Sequence, residues 1–314
     1  MKVLVTGGNG FIGKHVVHEL VGRNIEVVSY DIVKPSIKLE GVQYVYGTVL
    51  DEFLLSQCMK GCDAVIHLAA ILGVKRAEKE LLKCMTINLE GTLKVLRTMV
   101  MNDIEHVLLT SSSEVFGDVS RSKLNETSPF NPKSGYAISK LACEQYLQGF
   151  NDEFGLNYNV VRFFNIYGSG QVAEFVVPRF IKMVQKGIAP TIYGDGQQVR
   201  SFCHIKDAAR ATIDLFLNKN MLNDAYHIGN DLESVTMVEL ANKVLQIMDK
   251  KMELNFVPFE KSDRKSSREI FYRIPDITKI QQAIGYAPEI TLEDGLKEII
   301  ATNDIPESWV DPIC

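Results

Sequence analysis

Long hydrophobic runs are missing from this 314-residue chain, and no stretch approaches the ~20 apolar residues that a membrane span requires. The start, VLVTGGNGFIG, lacks a basic lead, a long apolar core and a cleavage site, so no export signal is read there and a cytoplasmic location is expected. Blocks of Lys or Arg are absent too. With 34 Lys+Arg against 39 Asp+Glu and a net charge of −5, there is no electrostatic reason to expect a nucleic acid or a membrane as partner. A local pocket can still be positive and take a small anion. The six cysteines (58, 62, 84, 143, 203 and 314) are too few and too scattered for a disulfide scaffold. Cys58 and Cys62 have the spacing of half a metal site, but no second Cys/His cluster follows, and no metal is expected. Internal repeats and low-complexity segments are also lacking.

What remains is an ordinary globular composition, 46% hydrophobic and 23% charged, in a chain long enough for one large domain or two unequal ones. Short β-rich runs recur: KVLVT, EVVSY, QYVYG, DAVIHL, HVLLTS and YNVVRFF, most of them separated by segments of helical periodicity. Their apolar character is continuous rather than alternating, which predicts strands buried on both faces of a parallel sheet. A doubly wound α/β domain is expected over about the first 165 residues. After Tyr167 the elements shorten around GSGQ, GIAP and YGDGQQ. Thr236 and Glu239 have capping-box spacing ahead of VELANKVLQIM, and the polar KSDRKSSRE, 261–269, reads as a loop. A smaller C-terminal lobe is expected over the carboxyl ends of the strands.

The run KVLVT passes straight into GGNGFIG, placing Gly7, Gly10 and Gly13 ahead of a helical segment. Glycine is needed where the turn is tight and where backbone approaches a pyrophosphate, whose charge the helix N-terminus then meets. Asp31 ends the second run, where a carboxylate can accept from both ribose hydroxyls and would repel a 2′-phosphate. NAD is therefore preferred to NADP. Thr48 stands where an acid able to bind the adenine amino group is expected.

Tyr136 and Lys140, in YAISK, are four apart and lie one turn apart on one helix face. An ammonium there can stabilise a phenolate and draw the tyrosine pKa toward working pH. Such a tyrosine can take a hydroxyl proton while hydride leaves for nicotinamide. His67, His204 and His227 sit in or beside apolar runs and read as structural; Cys143 and Cys203 read as packing residues.

Together TGGNGFIG, HLAA, INLEGT, SSSEVFG, YAISK, RFFNIYG, YGDGQQVR and RIPD make the chain resemble the extended short-chain dehydrogenase/reductase family, in its nucleotide-sugar epimerase/dehydratase branch. The resemblance covers nearly the whole chain. It implies a Rossmann-type doubly wound parallel sheet with a smaller C-terminal substrate-binding lobe: residues 1–166 binding NAD, with about 200–218 returning to that domain, and 167–314 mainly binding the nucleotide sugar. Gly7, Gly10, Phe11, Ile12, Gly13, Asp31, Leu68, Ala69 and Ala70 would line NAD, with Tyr136 and Lys140 at its nicotinamide end. Ser112 would bond the reacting sugar oxygen, Asn165 would reach the substrate phosphates, and Arg200 and Arg273 would clamp the diphosphate, a task suited to arginine's planar fork. Helices of the YAISK type in this family commonly build a homodimer.

The resemblance further implies a shared first step, with Tyr136 as base and a transient 4-keto sugar. A ketone at C-4 acidifies the hydrogen on C-5, so a carboxylate there can remove it and expel water from C-6. Glu114 matches the glutamate that does this in 4,6-dehydratases, which carry an Asp-Glu pair; here Ser113 replaces the aspartate. The Ser-Glu pair also resembles UDP-glucuronate decarboxylases, and 5,6-dehydration is a related outcome. An epimerase needs no further acid or base, and an NAD(H) sensor would not need Ser112, Tyr136 and Lys140 together. The expected function is an NAD-dependent dehydratase acting on a UDP-hexose, such as UDP-N-acetylglucosamine, with decarboxylation or 4-epimerisation as the alternatives.

Overall fold

The computed structural model describes residues 1–118, 122–261 and 269–307. Residues 262–268, most of the polar stretch expected to form a loop, lie outside the described residues, as does Cys314.

Strands follow in chain order as β1 (Lys2–Thr6), β2 (Glu26–Asp31), β3 (Val42–Tyr46), β4 (Ala64–His67), β5 (His106–Ser112), β6 (Asn157–Phe163), β7 (Ile166–Tyr167), β8 (Thr191–Tyr193), β9 (Val199–Ser201), β10 (Cys203–His204), β11 (Asp224–Ile228), β12 (Ser234–Thr236), β13 (Asn255–Val257) and β14 (Tyr272–Arg273). Seven of them form one sheet in the order β11-β6-β5-β4-β1-β2-β3, and every neighbouring pair is parallel. This is the Rossmann-type α/β fold, and its strand order reverses between β1 and β4. Ligands in such sheets bind outside the carboxyl ends of the strands at that reversal. Three of the sequence motifs emerge there: the glycine turn after β1, HLAA at the end of β4 and SSSEVFG at the end of β5.

Both faces of the sheet are covered, which is why the strands read as continuous apolar runs. On one face Val3, Val5, Leu108 and Val161 pack with Val16, Val17 and Leu20 of helix Phe11–Gly22 and with Ile213 and Phe216 of helix Ile205–Leu217. On the other, Leu4, Val28, Val65 and Val107 pack with Leu55, Val95, Leu96, Cys143 and Leu147 from three further helices. Each such aliphatic side chain stabilises the fold by about 1.5–3 kcal/mol on burial. The seventh strand, β11, was not among the β-rich runs read as strands from sequence. It extends the chain's return to the sheet beyond helix Ile205–Leu217, with Tyr226 pairing Val161 and Ile228 pairing Phe163.

The rest of the second half has its own core of Tyr167, Val177, Phe180, Ile181, Leu240, Val244, Leu296 and Ile299. Its largest sheet has the order β12-β9-β14, antiparallel between β12 and β9 and parallel between β14 and β9. The capping box forms as the spacing predicts: Glu239 N donates to Thr236 Oγ1 at 3.1 Å, and Thr236 N donates to Glu239 Oε2 at 2.7 Å. A backbone bridge fastens β14's extension to the sheet domain, with Leu124 N donating to the carbonyl of Ile274 at 2.9 Å. That bridge carries Arg273 over the end of β5.

Candidate active site

The glycine turn after β1 leaves no room for a side chain at two of its positions. Gly7 has φ +69°, and a Cβ there would lie 2.8 Å from the nitrogen of Ala69; one on Gly13 would strike the Gly7 carbonyl and approach Gly8 Cα to 2.7 Å. No side chain occupies either contact, so the turn packs tightly on HLAA, where Leu68 N donates to the Thr6 carbonyl at 3.0 Å and Ala69 N to Thr6 Oγ1 at 3.3 Å. Gly10 is the N-cap of helix Phe11–Gly22, and no side chain caps it. The first-turn amides, including those of Phe11, Ile12 and Gly13, are thus left to an anionic group. Asp31 sits beside the turn, its two oxygens accepting from the amides of Asn9 and Val33, both at 2.9 Å. Burial pushes its carboxyl up and those amides pull it back down. An uncapped helix behind glycines and a fixed carboxylate at the end of β2 fit a dinucleotide with an unmodified ribose.

Ser134 caps helix Gly135–Phe154, its Oγ accepting from Ala137 N at 3.1 Å, and this aims the first turn at the strand ends. Tyr136 and Lys140 are both buried on its inner face. Lys140 Nζ donates to the Thr110 carbonyl at 2.8 Å. Burial pushes the Tyr136 phenol well above its ordinary value, and a hydrogen bond with Ser112 pulls the other way. The structure therefore brings Ser112, Tyr136 and Lys140 together, with Ser112 Oγ also accepting from Glu114 N at 3.2 Å.

Glu114 lies in a single helical turn, Ser113–Phe116, whose Ser113, Val115 and Phe116 are buried. Its carboxylate pairs with Nη1 of Arg273, whose Nη2 donates to Asn165 Oδ1 at 2.9 Å. Asn165, at φ +42°, is held in turn by its own bond to the Ser201 carbonyl at 2.8 Å. Arg273 Nε is buried and has no hydrogen-bond partner among the described residues. Arg273, read from sequence as a diphosphate clamp, is thus in contact with Glu114 and Asn165. Arg200 is the register partner of Arg273 across the β9–β14 pair, and its side chain bonds Glu269 Oε1 at 3.3 Å and the carbonyls of Val199 and Ile270.

Two positioning groups had no role in the sequence reading. Asn88 of INLEGT sits in a π-turn, Thr86–Glu90, where it accepts from Ile71 N at 2.7 Å and donates to the Ile71 carbonyl at 3.2 Å and Ser139 Oγ at 3.0 Å. It ties the segment after HLAA to the helix carrying Tyr136. Arg162 of RFFNIYG forms a buried pair with Glu144, its Nη2 2.7 Å from Oε2. The motif match marked both segments, but no short-range pattern distinguishes such residues from ordinary core polar groups. His67 bonds Thr6 Oγ1 at 2.6 Å and Thr92 Oγ1 at 3.0 Å, and burial draws it down to about 3, a neutral structural histidine. Among the described residues no cluster of three or more His, Cys, Asp or Glu could hold a metal, and no helix is long and apolar enough to cross a membrane.

A glycine turn at the strand-order reversal, an acid fixed at the end of β2 and Ser112, Tyr136 and Lys140 at the neighbouring strand ends fit a Rossmann-type NAD enzyme. A family model described as the NAD dependent epimerase/dehydratase family matches residues 3–229, and the chain belongs to that family. It is 32% identical over 321 residues to the UDP-N-acetyl-alpha-D-glucosaminuronate decarboxylase of Bacillus cytotoxicus, covering 95% of this chain and 96% of that one. It is 30% identical over 306 residues to a putative UDP-glucose 4-epimerase of Methanocaldococcus jannaschii, covering 95% and 97%. Among solved structures, the dTDP-glucose 4,6-dehydratase of Streptomyces venezuelae with NAD bound superposes with a TM-score of 0.88 at 29% identity, covering 96% of each chain. The protein is an NAD-dependent enzyme of the extended short-chain dehydrogenase/reductase type, in the nucleotide-sugar epimerase, dehydratase and decarboxylase family.

Proposed function

We propose that the enzyme oxidises a UDP-linked sugar at C-4 and then acts at C-5 and C-6 of the ketone through Glu114, the reaction being loss of carbon dioxide from a UDP-hexuronate. The observation that carries this is the Arg273–Glu114 contact beside Tyr136 and Ser112, with Arg273 Nε still unpartnered. A guanidinium at that place suits a C-6 carboxylate, which it can orient by bidentate bonding while neutralising its repulsion with Glu114.

Bound NAD+ supplies the hydride acceptor and a positive charge at its nicotinamide. Tyr136, bonded to Ser112, takes the C-4 hydroxyl proton, with the Arg273 charge favouring the phenolate; Lys140 is held one helical turn on, donating to the Thr110 carbonyl. In the 4-keto acid the C-5 to C-6 bond breaks, carbon dioxide leaves, and its electron pair passes to the C-4 oxygen as an enolate that Tyr136 protonates. A proton from solvent, relayed by Glu114, then returns to C-5, and the hydride returns to C-4 while its oxygen keeps the proton received from Tyr136, so that the cofactor ends the cycle oxidised as it began it. Asn165 and Arg200 serve substrate binding in this reading.

The second reading is the dehydration expected from sequence, 4,6 or 5,6, on a UDP-hexose such as UDP-N-acetylglucosamine. Glu114 next to Tyr136 favours it as the base at C-5. It stands second because Ser113, buried where dehydratases carry aspartate, is a weak proton donor to a leaving hydroxyl, and Arg273 does not give up a proton. The exposed Ile138, Tyr146 and Phe154 on helix Gly135–Phe154 support a homodimer, tested by light scattering. The test of the reaction is mass spectrometry after incubation with UDP-glucuronate and UDP-N-acetylglucosamine. Loss of carbon dioxide from the uronate is expected, loss of water from the hexose indicates the second reading, and isobaric products alone overturn both.

A further inference from the structure

We infer that Arg162 is a positioning residue for Glu114, fixing the turn Ser113–Phe116 against the helix that carries Tyr136 and Lys140. The inference rests on the reading that Glu114 acts after hydride transfer.

The geometry is a three-way fastening by one buried guanidinium. Arg162 lies on β6, its backbone paired with Ser111 on one side and His227 on the other, so its side chain starts next to the end of β5. Its Nε donates to Glu144 Oε1 and Oε2 at 3.1 and 3.3 Å, its Nη2 to Oε2 at 2.7 Å. Glu144 follows Lys140 by four, as Lys140 follows Tyr136, so it marks the same helix face one turn on. Nη1 donates to the Glu126 carbonyl at 3.2 Å. The plane of the group lies over Phe116, 5.3 Å to the ring centroid, and over Phe130, 4.9 Å.

Phe116 is two residues after Glu114 in the same helical turn and is fully buried. Its ring stacks on Phe130 and meets His227 edge-on at 5.2 Å. His227, held neutral at about 3 by burial and by the Arg162 charge, adds no competing cation. The turn is thus gripped from below by an aromatic set with Arg162 as its lid, while Arg273 holds Glu114 from above. Tyr136 is aimed separately, by the Ser134 cap and by the ties of its own helix, among them Asn88 to Ser139. Loosening Arg162 therefore misplaces Glu114 more than it misplaces Tyr136. A misplacement of about 1 Å costs on the order of a hundredfold in rate.

The test separates the two chemical steps in the holoenzyme, using whichever sugar nucleotide wild type converts. Hydride transfer is read at the reduced-nicotinamide absorbance in a single turnover, and the later step by product mass. Arg162→Met is expected to keep the hydride step within about threefold and to slow product formation about tenfold to a hundredfold, so that reduced cofactor accumulates. Glu144→Gln, which keeps a hydrogen-bond acceptor, is expected to shift the partition in the same direction by a smaller factor, and serves if Arg162→Met fails to fold. Equal loss of both steps, or a wild-type partition in both variants, overturns the inference. Glu114→Gln separates this from the parent reading: a wild-type partition there sinks the role of Glu114 itself. A crystal structure of the Arg162 variant decides independently of activity, with Glu114 displaced from Arg273 expected and an unchanged contact contradicting it.

Discussion

Replacing Gly13 by alanine adds one methyl group where the structure leaves none. The new Cβ would meet the Gly7 carbonyl and stand 2.7 and 2.8 Å from Gly8 Cα and C, all of it backbone. Ordinary carbon contacts lie at about 3.5–4.0 Å, so the turn has to yield by roughly 0.7 Å or more. Overpacking of this kind costs about 1–3 kcal/mol. Since the yielding segment is the turn that would receive the pyrophosphate, most of that cost should fall on NAD, a fivefold to roughly hundredfold loss of affinity. Gly22, on the same helix, is the control: nothing lies within 4 Å of its Cβ position. Alanine there should leave NAD binding unchanged and raise stability by about 0.5–1 kcal/mol, because glycine is the poorer helix former. Calorimetric titration of cofactor-stripped protein with NAD, alongside thermal melting, reads both quantities. Wild-type affinity in Gly13→Ala, or an affinity loss in Gly22→Ala, would refute the reasoning.

Tyr136→Phe should abolish turnover while NAD stays bound, checked by product mass and by cofactor content after gel filtration. Arg273→Met should raise KM for a UDP-uronate more than for UDP itself as inhibitor, since the cation is assigned to the C-6 carboxylate; an equal loss for both would return Arg273 to the diphosphate. Acid should destabilise the fold through His67 and His227, each drawn from the ordinary 6.5 to about 3 by burial. Below 6.5 the unfolded chain binds protons that the folded chain refuses, so their contribution is intact above that pH and lost toward 3, by about 1.4 kcal/mol per pH unit for each histidine. Urea unfolding at pH 6.5 and 5.0 measures this slope, and His227→Phe should flatten it by one histidine's share.

How much of this was readable in the sequence depended on range. β1, β2, β4, β5 and β6 were legible because both faces of each are largely buried, giving runs such as VLVT and VVRFF; β3, a half-exposed edge strand, was legible from its β-branched and aromatic residues. β11 was not, because DAYHI is an edge strand with an exposed Asp224 and a polar centre at His227. The cofactor turn was legible because strand, glycines and helix are contiguous. The partner of Glu114 was not, since Arg273 is 159 residues away and arrives through the pairing of β14 with β9 and the bridge from Ile274 to Leu124. Arg162 and Asn88 were hidden for a different reason: a buried polar residue that fastens elements together has the same local sequence as one that merely satisfies itself.

The central claim is that Glu114 acts on the sugar after hydride has left it. A single turnover of Glu114→Gln with UDP-glucuronate, followed by nicotinamide absorbance and by carbon dioxide release together, tests it most directly. Carbon dioxide released while reduced cofactor forms and then persists, because C-5 is not reprotonated, is the predicted result; reoxidation of the cofactor at the wild-type rate would contradict it.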